Sequence, residues 1–452
     1  MKFILILFLF KNVFGYKILV FSPTTLLEVE FKLPLGSLNI TKYAKIKQIG
    51  SFTSPIDDEI LKDISDLKQI ENVKVKKFYK LIIHLLLLNQ PIPEHTASVL
   101  GLPYPTSYVP ALTLSGYSDK MTIFERFYNL FFQIASYLIS FEVYDSLTLI
   151  MQKHFGPNYP NIRQIVKDSP LILVNADEFV DFPRPLFSNI IYIGGIGMNE
   201  IKIKEKYLNK QIENQINNEI KKGKKGFILF SIGTIMRSNE LPEIFIKNLF
   251  KVFEEFSDYY FIVKTDISDN LIKELARHPN LKLFITHCGY NSLLESATAG
   301  IPILAIPFFF DQFRNARVAE RNGWGLNFDK RLLLKSSKEF KIAIKTIFEN
   351  ERFKLNAERT KKLIITKPFT GEQRLLESFK FLEQNGGDLK ELLPESRNLS
   401  TIELYNLDVL FIIVLILVII FLIIIIIFRK CWKLLKSFIK KEDKIKSEDK
   451  IK

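Results

Sequence analysis

Along most of the chain after residue 16, short apolar runs alternate with longer stretches in which apolar positions return every three to four residues. The short runs are rich in Ile, Leu, Val and Phe and end at Gly, Pro, Asn or Asp, which predicts strands at Ile18–Phe21, Leu171–Asn175, Ile190–Ile193, Gly226–Ser231, Tyr259–Lys264, Leu281–Thr286 and Pro302–Ile306. The longer stretches predict helices at Leu241–Glu255, Asn291–Ala299, Gln312–Arg321, Ser337–Glu349 and Arg352–Ile365. This alternation is the pattern of α/β domains built on parallel sheets. A polar segment dense in Lys, Asn and Glu interrupts it, so a linker is expected at 196–225 between a first domain at 16–195 and a second at 226–385. Gly194–Asn199, "GGIGMN", lacks the spacing of a dinucleotide-binding loop and reads as a turn between domains.

The two ends break the pattern differently. Met1-Lys2 is followed by an apolar stretch to Phe10, with Val13 and Gly15 as small residues beyond it, which predicts a cleavable leader over 1–15. Val409–Phe428 is an unbroken apolar run of 20 residues. As a helix it measures about 30 Å, the thickness of the hydrocarbon layer, so a membrane span is expected at 408–428, in contact with lipid, after a juxtamembrane segment at 386–407. The tail 429–452 holds ten Lys or Arg against four Asp or Glu, a net +6 of the chain's +14. A basic tail on that side predicts a single-pass type I arrangement, with residues 16–407 luminal or extracellular.

The remaining positive charge is spread over many Lys without interleaved aromatics, which describes a solvated surface and not a nucleic-acid site. The two cysteines, Cys288 and Cys431, fall on opposite sides of the expected span and are not expected to pair. Asn39-Ile-Thr41 and Asn398-Leu-Ser400 are glycosylation sequons on the expected luminal side.

Candidate chemistry concentrates in residues 281–312, "LKLFITHCGYNSLLESATAGIPILAIPFFFDQ". This reads as one strand–helix–strand unit, and in open parallel sheets ligands bind at the carboxyl ends of the strands, where His287 and Asp311-Gln312 would converge. The start of the intervening helix offers unpaired N–H groups and a partial positive charge, which suits a phosphate or diphosphate. Ser292-Leu-Leu-Glu295 also fits a capping box, in which those two side chains satisfy the helix start without any ligand. No grouping of His, Cys, Asp and Glu suggests a metal site.

The stretch resembles the nucleotide-sugar signature of the UDP-glycosyltransferases, which include the membrane-anchored animal UDP-glucuronosyltransferases. The likeness runs through His278-Pro279, His287, Cys288-Gly289, Asn291-Ser292, Glu295, Gly300, Pro302, Pro307 and Asp311-Gln312. Phe230-Ser-Ile-Gly-Thr234, Ser107-Tyr-Val-Pro110 and Tyr192-Ile-Gly-Gly195 are similar to further landmarks of that family.

The resemblance implies two Rossmann-like domains facing a cleft, the GT-B type, with an acceptor-binding first domain and a UDP-sugar-binding second domain. It implies that Ser231, Thr234 and Gly289 approach the donor, that His287, Asn291 and Ser292 hold the diphosphate, that Glu295 meets the ribose hydroxyls, and that Asp311 and Gln312 hold the transferred sugar. The implied reaction is an inverting, metal-independent transfer of a hexose or glucuronic acid from a UDP-sugar, a co-substrate and not a resident cofactor, to a small lipophilic acceptor. Residence in the endoplasmic reticulum also follows from the likeness, which leaves a homo-oligomer open.

Two family features are missing. The family's Trp-x-Pro-Gln, which holds the uracil, is replaced by Asp269-Asn-Leu-Ile272, and loss of such stacking costs about 1–3 kcal/mol. The family's catalytic His after the first strand has no counterpart before His84, where Thr24–Phe31 offers only Glu28 and Glu30. His84 and His95 read as packed residues or lining of the acceptor cleft. The alternative function is therefore a nucleotide-sugar-binding protein, or a shortened gene product, without transfer activity.

Overall fold

The computed structural model describes residues 5–12, 15–22, 25–31, 44–50, 83–88, 90–112, 115–196, 218–233, 241–264, 275 and 278–448. The chain divides into two units, Met1–Pro394 and Glu395–Lys452.

Among the described residues the first unit holds two sheets. The first has the strand order β4-β3-β2-β1-β5-β6-β7, with β1 Leu5–Asn12, β2 Gly15–Ser22, β3 Thr25–Phe31, β4 Ala44–Gly50, β5 Ile83–Leu88, β6 Ile172–Val174 and β7 Ile190–Tyr192. β5, β6 and β7 are parallel, as the alternating pattern predicts. β1–β4 form an antiparallel meander, and β1 also runs antiparallel to β5. The expectation that Ile18–Phe21 opens a parallel sheet is therefore corrected. Only two residues separate β1 from β2 and β2 from β3 in sequence, too few for the crossover of a dozen or more residues that a parallel pair needs. The expected leader thus contributes β1, and the segment holding Glu28 and Glu30, read as a loop, is strand β3.

The second sheet has the order β12-β11-β10-β8-β9, from β8 Phe227–Ser231, β9 Tyr260–Val263, β10 Leu281–Thr286, β11 Ile303–Ala305 and β12 Gly325–Asn327, and every pair is parallel. Counted from its own first strand, this is the doubly wound order 2-1-3-4-5. Its inner strands β8 and β11 are buried on both faces and β10 nearly so, while β9 and β12 at the edges are partly buried, so the inner strands read as continuous apolar runs and not as alternating ones. Phe227 and Leu229 of β8 face one core, and Ile228 and Phe230 face the other.

Among the described residues the α-helices of this unit are α1 Glu94–Val99, α2 Ile123–Phe155, α3 Ile162–Lys167, α4 Glu243–Glu255, α5 Tyr290–Ala299, α6 Gln312–Arg321, α7 Lys338–Glu349, α8 Arg352–Ile365 and α9 Gly371–Gln384. α4 buries Phe245, Leu249, Val252 and Phe253, a single stripe at helical spacing, against one face of the second sheet. α5 and α6 pack on the other face through Leu293, Leu294, Ala297, Ala316 and Ala319. That core continues without a break into Leu88, Ile172 and Val174 of the first sheet, so the two sheets share buried apolar contacts.

The second unit contains α10 Thr401–Leu404 and α11 Leu407–Glu448, a helix of 42 residues. Its segment Leu407–Lys436 contains an 18-residue stretch with a mean hydropathy of 4.1 and is long and apolar enough to cross a membrane. The helix runs on past the expected limit at Phe428 into the basic tail. Asn398 lies exposed just before α10, while Asn39 falls outside the described residues.

Candidate donor-binding site

In the order 2-1-3-4-5 the crossovers reverse direction between β8 and β10, and the carboxyl ends of those two strands open the crevice where such sheets bind ligands. Ser231 ends β8 opposite Thr286, which ends β10. The backbone N–H of His287 donates to the Ser231 carbonyl at 3.3 Å, so the two strand ends lead into one shared loop junction.

The His287 ring is seated between two glycines. A Cβ added at Gly233 would lie 2.6 Å from His287 Nε2, and one added at Gly289 would lie 2.5 Å from the same atom. Gly233 also has φ +86°, a backbone conformation open to glycine and strained for most other residues. The Thr286 hydroxyl lies 3.4 Å from His287 Nδ1 and accepts from the Cys288 N–H at 3.2 Å. Gly233, Thr286 and Tyr290 were not singled out in the sequence. The first was legible only as the glycine of the "SIGT" loop, and the other two flank signature residues.

Cys288 takes φ 64° and turns the chain sharply into α5. Its side chain and that of Tyr290 are buried, while His287 and Ser292 are partly exposed and Asn291 is exposed. The loop thus alternates anchors with residues turned to solvent. Tyr290 accepts at its hydroxyl from the Asp177 N–H at 2.9 Å, which fixes the first residue of α5 against the segment that follows β6.

The capping-box expectation is corrected here. The N-cap of α5 is Gly289, not Ser292, and no side chain caps the helix start. Ser292 falls inside the first turn because the helix begins three residues earlier than that reading required. The first intrahelical bond at this end runs from the Leu293 N–H to the Gly289 carbonyl. The amides of residues 290–292 therefore precede the ladder and aim out of the helix start, the geometry that accepts an anion. Glu295 is buried at 4% exposure one turn further on.

Asp311 and Gln312 open α6 beyond β11, near the end of the Cys288 turn. Asn315 Nδ2 donates to Asp311 Oδ2 at 2.9 Å and to the Cys288 carbonyl at 3.1 Å. Gln312 Oε1 accepts from the N–H groups of Phe308 and Phe309 at 2.8 and 3.2 Å, which orients its amide and presents the NH2 end as the remaining donor. The structure thus brings Ser231, His287, Gly289, Asn291, Ser292, Asp311 and Gln312 to one end of the sheet. Thr234 and the stretch Asp269–Ile272 lie outside the described residues. Glu28 and Glu30 are in β3, at register positions opposite Leu19 and Lys17 on one side and Lys47 and Lys45 on the other.

The family model described as UDP-glucoronosyl and UDP-glucosyl transferase matches residues 73–256 and 271–445. The chain belongs to this family. Among curated relatives, a Caenorhabditis briggsae protein named putative UDP-glucuronosyltransferase ugt-47 is 33% identical over 343 residues, 72% of this chain and 62% of that protein. A Xenopus laevis UDP-glucuronosyltransferase 3A1 is 28% identical over 371 residues, 78% of this chain and 66% of that protein. The chain thus spans about 62% of the length of the first of these relatives. A crystal structure of a UDP-glucose: anthocyanidin 3-O-glucosyltransferase in complex with UDP aligns with 51% of this chain and 58% of its own, at 17% identity and a TM-score of 0.37.

The chemistry of the family signature's cysteine is set by its burial. Cys288 is fully buried, and burial first and the Asp311 carboxylate second push its thiol well above the ordinary range. The thiolate is the reactive form, so Cys288 is expected to resist maleimide in the folded protein, while exposed Cys431 labels readily. Mass spectrometry should find one label per native chain and two after denaturation. Two labels under native conditions would contradict the buried placement.

Proposed function

We propose that this chain is a membrane-anchored UDP-glycosyltransferase that binds a UDP-sugar at the crevice between β8 and β10 and transfers a hexose or glucuronic acid to a small lipophilic acceptor. The single observation that carries this reading is the uncapped start of α5 beside the glycine-seated His287 and the Asp311-Gln312 pair. The diphosphate would accept from the amides of residues 290–292, with His287, Asn291 and Ser292 as flanking donors. Asp311 would accept from hydroxyls of the sugar, the Gln312 NH2 would donate to one, and Ser231 and Thr234 would approach the nucleotide. Glu295 would reach the ribose only after a rotation out of its buried position.

In the transfer, the acceptor oxygen attacks the anomeric carbon from the face opposite UDP. The bond from that carbon to the β-phosphate oxygen breaks, and the configuration inverts. Negative charge grows on the departing UDP, and hydrogen bonds already aimed at it from the start of α5 stabilise that charge without reorganisation. The acceptor proton passes to a base in the first domain, for which Glu28 and Glu30 are the sequence's candidates.

The same reading takes residues 1–15 as a leader and α11 as a single type I span in the endoplasmic reticulum. Residues up to about 407 would then be luminal, with the sequon at Asn398 on that side. The domain limits at 16–195 and 226–385 are part of the proposal.

One observation favours donor binding without transfer as the second reading. Glu28 and Glu30, the sequence's candidates for the base, lie in a strand whose backbone is paired on both sides and not in a loop. An assay of UDP release from UDP-glucose and UDP-glucuronic acid, with and without phenolic or steroidal acceptors, separates the two. Acceptor-dependent release that is lost in His287→Ala supports transfer. Donor binding without release supports the second reading, and failure to bind UDP contradicts both.

A further inference from the structure

We propose that Asn315 is a positioning residue that couples the two ends of the donor site through one side-chain amide. The inference rests on the UDP-sugar reading above and goes beyond it, because Asn315 lies behind the site and is not assigned to ligand contact. Its Nδ2 donates both to the carbonyl of Cys288, in the loop that carries His287 into the start of α5, and to the carboxylate of Asp311, at the start of α6. One planar group thus sets the phosphate loop and the sugar-side carboxylate relative to each other.

Two features argue that this position serves the site and not packing alone. Asn315 is fully buried, and among the described residues its Oδ1 has no hydrogen-bond partner. A buried acceptor left unpaired is a cost that an apolar residue of similar size would avoid, so the two bonds made by Nδ2 are what the polar group contributes here. Cys288, whose carbonyl it holds, also sits in the left-handed region at φ 64°, a conformation that non-glycine residues adopt rarely and that surrounding contacts must hold. At the other end, the bond to Oδ2 restricts rotation of the Asp311 carboxylate, which any sugar hydroxyl would have to meet in a defined plane.

The coupling has a signature that simple loss of packing lacks. Removing the amide should affect a ligand that spans both ends more than one that fills only the phosphate end. Its effect should also overlap with that of removing the Asp311 carboxylate, since both act through one geometry.

Isothermal titration of the full chain in detergent, for wild type, Asn315→Ala, Asp311→Ala and the double variant, tests this. The ligands are UDP and whichever of UDP-glucose and UDP-glucuronic acid the wild type binds more tightly. Asn315→Ala is expected to weaken the UDP-sugar about tenfold and UDP by no more than about threefold. The double variant should bind the UDP-sugar about as weakly as the weaker single variant. Equal weakening of both ligands, no weakening, or additive losses would overturn the proposal. If the wild type binds neither ligand, the donor-site reading itself fails. Should Asn315→Ala not fold, Asn315→Ser keeps a donor in a smaller side chain and carries the same comparison. Failure of both to fold would make the residue structural and overturn the proposal.

Discussion

Arg314→Ala is expected to destabilise the first unit by about 3–5 kcal/mol, the range for removing one partner of a buried ion pair. Arg314 sits in α6 at 1% exposure, and its Nη1 lies 2.7 Å from Oδ1 of Asp181, itself 4% exposed, in the segment after β6. Its Nε donates to the Pro110 carbonyl at 3.0 Å, and its guanidinium lies 4.9 Å from the centre of the Phe182 ring. Alanine would leave the Asp181 charge buried among these groups. The cost of the variant is thus the desolvation of an abandoned carboxylate more than the loss of one bond. Unfolding can be followed through Trp324, which is fully buried near the end of α6, in a background where the exposed Trp432 is replaced by Phe. Pairing Arg314→Met with Asp181→Leu should recover most of the loss, because it removes both charges together. Recovery by the single Arg314→Met alone would contradict this origin.

Gly289→Ala is expected to remove most of the donor affinity while costing the fold little. Gly289 has φ −60°, which alanine adopts without strain, so the backbone should not object. The new Cβ would instead meet the far end of the His287 side chain, 2.5 Å from Nε2, and the imidazole would have to leave its seat. A hydrogen bond to a charged group is worth about 1.5–3 kcal/mol, so UDP binding should fall roughly tenfold or more. His287→Ala should produce a loss of similar size, and combining the two should add little. Unchanged affinity in Gly289→Ala would show that the imidazole position does not matter for the ligand, and a full loss of stability would contradict the small cost to the fold.

Much of the second sheet was legible in the sequence because its inner strands are almost wholly buried on both faces. Leu281–Thr286, Gln312–Arg321 and Arg352–Ile365 were placed to the residue, since apolar content changes abruptly at their ends. α2 was missed for the opposite reason. Its apolar residues are spread around the helix, with Phe124, Phe127, Phe131 and Leu138 exposed and Tyr144 and Thr148 buried, so no single stripe marks its period. In the structure α2 and α9 each start at a capping box, Thr122 with Glu125 and Thr370 with Gln373.

Within the site, the motif residues were legible, but the reason for two of the glycines was not. That Gly233 and Gly289 seat one imidazole depends on β8 and β10 lying side by side, a contact between residues more than fifty apart in sequence. The capping box failed because the helix began earlier than Ser292. The family signature carries a turn at Cys288, whose left-handed backbone no local sequence rule announces. The stitching of α6 to the segment before α2 and to the one after β6 through Arg314, Arg317 and Arg321 was likewise invisible, since Pro110, Gly116, Asp119 and Asp181 are distant in sequence.

The most direct test of the donor site is a calorimetric titration of UDP into the full chain in detergent, repeated with His287→Ala. The account predicts saturable binding at one site per chain, weakened roughly tenfold or more by the substitution. Absence of saturable binding, or an affinity unchanged in His287→Ala, would contradict it.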